Sequence, residues 1–114
     1  MKKSLATILL LLTMLGAVNA QSVRTIDSLR HELSIATNDS SRAQLMNSIS
    51  DYYRANRPDS AIFYANKALI LARYTNSPEL EIEALALSTL VQIYIGNDSK
   101  ALQLNLEAIK IATL

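Results

Sequence analysis

One histidine, no cysteine, and glutamates at alternate positions 79, 81 and 83 are the features of this chain that could suggest chemistry. His31 would need partners converging on it to act as a general base or a metal ligand. Glu32 is its neighbour in sequence and faces elsewhere on a helix. Glu79, Glu81 and Glu83 suggest a divalent cation site, but alternate helix positions diverge, so they suit the positive end of a helix dipole better. No nucleophile–base pair, phosphate loop or zinc spacing occurs, and without cysteine there is neither thiolate chemistry nor a disulfide. The expectation is a non-enzymatic chain with no metal and no cofactor.

The elements that would position any functional residue begin after a leader. "MKKSLATILLLLTMLGAVNA" has basic Lys2 and Lys3, an apolar run from Leu5 to Val18, and Val18-Asn19-Ala20 before Gln21. That is the pattern of a signal peptide over residues 1–20, with a mature start at Gln21 and export to the periplasm or the exterior. The run is shorter than the roughly 20 residues needed to span a bilayer. An uncleaved anchor is the alternative, and only then would the chain contact a membrane. No cysteine follows the run, which excludes lipoprotein attachment. Loss of Lys2 and Lys3 leaves nine basic residues against ten acidic ones, so no charge draws in nucleic acid. A 94-residue domain without disulfides must find its stability in helix packing or in a partner.

The mature chain reads as helices separated by short turns. "SVRTIDSLRHELSIA" carries Val23, Ile26, Leu29 or Arg30, and Leu33 as a stripe, within an N-terminal capping helix assigned to residues 21–38. Ser41 to Gln44 has capping-box form, with Asp39 and Ser40 as rival caps, opening a helix to about Ala55 with Leu45, Ile49 and Tyr52 on one face. Pro58 suits the first turn of the next helix. Ser77 caps a fourth, Pro78 takes its first position, and Gly96 ends it in the left-handed conformation. A fifth, from "NDSK", runs to the C-terminus. The leucine alternation at 102, 104 and 106 is a local exception to an all-α pattern.

The third helix, "DSAIFYANKALILA", matches the fifth, "DSKALQLNLEAIKIA". Ala61, Ala68 and Ala72 fall on Ala101, Ala108 and Ala112 if Lys100 lies in the turn. The preceding helices align as "LMNSISDYY" over "LSTLVQIYI", with Tyr52 over Tyr94. Alanines spaced by four and three line one helix face and admit a second backbone closely. A 40-residue alanine-to-alanine period marks a stacked helical repeat.

These residues resemble the tetratricopeptide repeat (TPR) family. Leu45, Tyr52, Ala61 and Ala68 fit one repeat, with Tyr64 one position early for the aromatic; Leu87, Leu90, Tyr94, Gly96, Ala101 and Ala108 fit a second. Ile49 and Val91 replace the family's inter-helix glycine, Arg73 stands where proline is usual, and the period exceeds the usual 34. The resemblance implies a short right-handed α-solenoid of antiparallel helix pairs. Its TPR-like domain is residues 39–114, with repeats at about 41–73 and 78–113. The leader, the "IDSL" helix and Asn38-Asp39-Ser40-Ser41-Arg42 are similar to the extracytoplasmic TPR sensor regions of bacterial histidine kinases and helix-turn-helix regulators.

By the same resemblance, the first helix of each pair lines a groove for a protein or peptide partner. Its residues would be Met46, Asn47, Ser50, Tyr53, Arg54, Ser88, Thr89 and Gln92, with Arg54 free to pair with a carboxylate and Ala43 exposed on the same face. The last helix carries more apolar surface than one neighbour covers, so Leu102, Leu106, Ile109 and Ile111 are expected to form an interface, most simply in a homodimer. A sensor portion of a truncated signalling receptor is the alternative to a free-standing binding module.

Overall fold

The computed structural model describes residues 25–114. The leader, Val23 and the signal-peptide assignment lie outside the described residues. The described chain forms α1 (Ile26–Ile35), α2 (Asp39–Tyr53), α3 (Pro58–Tyr74), α4 (Pro78–Tyr94) and α5 (Asp98–Ala112), and no strand. Each helix packs on the next, and α2 also meets α4, so α2–α3 and α4–α5 are successive stacked pairs. The architecture is an all-α TPR-like solenoid.

Local chemistry sets the boundaries. Thr25 accepts from the Ser28 amide to start α1, Ser77 accepts from Leu80 to start α4, and Pro58 and Pro78 stand in the first turns of α3 and α4. The cap of α2 is Asn38, whose Oδ1 accepts from the Ser41 amide at 2.8 Å; none of Asp39, Ser40 or Ser41 caps it. Arg42 decides the point. It reaches back to the Ala36 carbonyl and to Asp39, both at 2.9 Å, which draws Asp39 into the first helical turn. Helix α2 ends at Tyr53, two residues earlier than its composition suggests.

Helices α3 and α4 end alike. The amide of Ser77 donates to Ala72 O at 2.9 Å, and that of Asn97 to Gln92 O at 2.8 Å. The residue before each donor has positive φ: Asn76 at 55° and Gly96 at 83°. Both are Schellman closures, one built on asparagine and one on glycine.

The alanines occupy the joints. Ala61, Ala65, Ala68 and Ala72 are fully buried along α3, while Ala101 and Ala108 are buried on α5. Lys100 is not in the turn: it lies inside α5, its amide donating to the Asn97 cap. Pro58 therefore corresponds to Asp98, and the two Asp-Ser pairs are one residue out of register. Ala112 is exposed where Ala72 is buried.

The main core joins Leu29, Ile49, Tyr53, Ala61 and Val91, with Leu45, Ile62 and Tyr64 against it. Tyr53 takes the place expected of Tyr52. Its ring stacks on Tyr64 at 6.2 Å between centroids, and its hydroxyl accepts from Arg30. One turn separates Ile49 from Tyr53, so those two share the inner face. Tyr52 and Tyr94 are both exposed. Ala43, expected on the exposed face, is fully buried near the start of α2.

Candidate protein-binding surfaces

Helices α1, α2 and α4 meet around a hollow of about 490 Å³. Leu29 contributes from α1, Asn47, Ser48, Asp51 and Tyr52 from α2, and Glu83 and Leu87 from α4. The α2 residues come from adjacent ridges, since Asn47–Asp51 and Ser48–Tyr52 are each one turn apart. Asn47 is fully buried. Its Nδ2 donates to Leu80 O of α4 at 3.4 Å, and its Oδ1 has no hydrogen-bond partner.

The residues expected to line a groove have separate fates. Asn47 lines the hollow, while Met46 and Thr89 are half-buried; Thr89 returns its hydroxyl to Leu85 O at 2.8 Å. Ser50 and Tyr53 are held inside the repeat instead. Ser50 is buried and donates to Ala61 O at 2.7 Å, a bond from α2 to α3 that leaves no hydroxyl hydrogen for a ligand. Ser88 is buried, and so is Gln92, whose Oε1 has no partner. Arg54 is not free: its Nε pairs with Asp51 at 3.2 Å on the same helix. Sequence reasoning missed Ser48, Asp51, Tyr52 and Glu83 as lining residues. The one-turn spacing of Asn47–Asp51 and Ser48–Tyr52 was the available signal.

Two of the three glutamates, Glu79 and Glu81, line one hollow, and Glu83 lines another. Glu81 pairs with Arg73 at 2.9 Å, and Arg73 also reaches Glu107 of α5, so one guanidinium ties α3, α4 and α5 together. Glu79 lies by a second hollow with Pro78, Ile82 and Ile111, and Glu83 faces the first. His31 is exposed on α1.

On α5, Leu102, Leu106 and Ile109 are 60%, 56% and 50% exposed. Ile111, expected with them, is half-buried. It lies beside Pro78 and Ile82 at the start of α4. The equivalent positions on α3 explain the exposure of the others. Ala65 and Ala72 are fully buried there and Ile62 and Leu69 partly so, beneath α4, whereas Asn105, Ala112, Leu102 and Ile109 have no helix over them among the described residues.

A family model described as the SusR N-terminal TPR domain matches residues 17–114. The chain belongs to the tetratricopeptide repeat family. No curated protein matches it, and no solved structure does. TPR domains are protein–protein interaction modules and are typically non-catalytic scaffolds. In this TPR domain the two candidate surfaces are the polar hollow between α1, α2 and α4 and the exposed apolar residues of α5.

Proposed function

We propose that this TPR domain is exported and binds a protein or peptide partner through the hollow where α1, α2 and α4 converge. The observation that carries the reading is Asn47. A buried amide oxygen without a donor costs about 1–3 kcal/mol, and Asn47 carries one at the wall of an open hollow, where a donor from a partner would relieve it. Export rests on the leader pattern of residues 1–20. Among the described residues, no helix is long and apolar enough to cross a membrane.

A photo-crosslinking residue at Tyr52 in the host organism tests the site. It should capture a discrete partner, whereas the same residue at Ile70, exposed on α3 outside the hollow, should not. Equal capture from both positions, or from neither, rejects the site. Mass spectrometry of the native protein tests export, with Gln21 as the expected first residue and an intact Met1 as the contrary result.

The sensor portion of a longer signalling receptor is the second reading. It is favoured by the description of the matched model as an N-terminal domain. A membrane-spanning segment and kinase motifs encoded just downstream of Leu114 would support it, and their absence from the genomic sequence would remove it.

The exposed Leu102, Leu106 and Ile109 support a further association, of two copies through α5.

A further inference from the structure

We propose that the hollow between α1, α2 and α4 receives the ammonium or guanidinium group of a lysine or arginine carried by the bound partner. The inference rests on the reading of that hollow as the partner-binding surface and names the chemistry it selects.

Most of the polar capacity left unmet around the hollow is accepting; the Tyr52 hydroxyl is the exposed lining group that can also donate. Glu83 of α4 is exposed and has no hydrogen bond or ion pair among the described residues. Asp51 of α2 has one ion pair, to Arg54 on its own helix. Ser48 spends its hydroxyl hydrogen on Gln44 O at 3.1 Å and keeps only lone pairs to offer. Asn47 adds an independent observation. It is fully buried, one Nδ2 hydrogen goes to Leu80 O, and its Oδ1 has no partner. No lysine or arginine lines the hollow.

A ligand that answers this set must bring donors and positive charge. A carboxylate or phosphate would meet two carboxylates of like sign. A neutral backbone amide could serve Asn47 but would leave Glu83 uncompensated. A lysine or arginine head group supplies several donors at once, and hydrogen bonds between ionised partners are stronger than neutral ones. Leu29 and Leu87 form the apolar part of the lining, which suits the methylene stem of either side chain.

The purified protein, fluorescently labelled, is applied to immobilised short peptides of mixed sequence with one fixed central residue. Peptides centred on lysine or arginine should be held about tenfold more tightly than those centred on glutamate or leucine, the scale of one charge-assisted hydrogen bond. Glu83→Gln should abolish that preference. Glu79→Gln, an equal change of charge outside the hollow, should preserve it. Glu83→Lys should turn the preference toward glutamate. Circular dichroism verifies that each variant is folded, which the exposed position of Glu83 favours. Binding without preference for the central residue, or a preference that survives Glu83→Gln, overturns the inference; crosslinking of those peptides from Tyr52 would then leave the binding surface standing. Binding of no peptide at all overturns both.

Discussion

The hydroxyl of Ser50 donates to the carbonyl oxygen of Ala61 at 2.7 Å, fully buried between α2 and α3. Ala61 is one of the small residues that bring those helices together, so the bond and the close approach depend on each other. Ser50→Ala should lower stability by about 1 kcal/mol, the net worth of one such bond. Ser50→Val should cost more, since it adds bulk at a joint without space. Urea unfolding checks the order, with midpoints falling as wild type, alanine, valine at unchanged slope.

Ala68 has no exposed surface, whereas Ala86 on α4 is exposed in a helix interior. Ala68→Leu should destabilise by about 1–3 kcal/mol through overpacking, and Ala86→Leu should stay within about 0.5. Equal urea midpoints for the two variants would contradict the packing described for α3.

The paired helix ends give opposite expectations. A Cβ on Gly96 would meet nothing within 4 Å, so Gly96→Ala should lose only the backbone preference, about 1–2 kcal/mol. Asn76 holds the same conformation with a side chain, and Asn76→Gly should be neutral or stabilising by up to about 1 kcal/mol. Thermal melts of the two variants should move apart.

Self-association through α5 predicts a dimer at micromolar concentration in sedimentation velocity. Leu106→Glu with Ile109→Glu should give a folded monomer, because both side chains are at least half exposed. A monomeric wild type at high micromolar concentration would exclude that interface.

Helix identity was legible wherever the signal was local. Pro58, the Ser77-Pro78 start and Gly96 each mark an end by their own conformational limits, and the structure uses all three. The choice among Asn38, Asp39, Ser40 and Ser41 was not, because all four can cap and Arg42 selects one through a contact back to Ala36. Tyr52 and Tyr53 are equally suited to a helix. The one-turn spacing from the buried Ile49 favours Tyr53, and Tyr64 and Arg30 meet that ring in the folded chain. For the hollow, Asn47 could be named from the sequence, but its company could not. Leu29 and Glu83 are 54 positions apart and meet only once the helices stack.

Helix α1 packs on α2 and has no backbone neighbour beyond it among the described residues. Yet its Leu29 forms part of the hollow opposite Glu83 and Leu87. An element held from one side belongs to the low-stability end of a fold and opens locally before the rest. A partner seated in the hollow adds a contact to that helix and shifts its opening equilibrium by mass action. Amide exchange in α1 should therefore slow on binding while exchange in α5, at the far end, keeps its rate. Occupancy of the hollow would thus be recorded as the order of the first described helix.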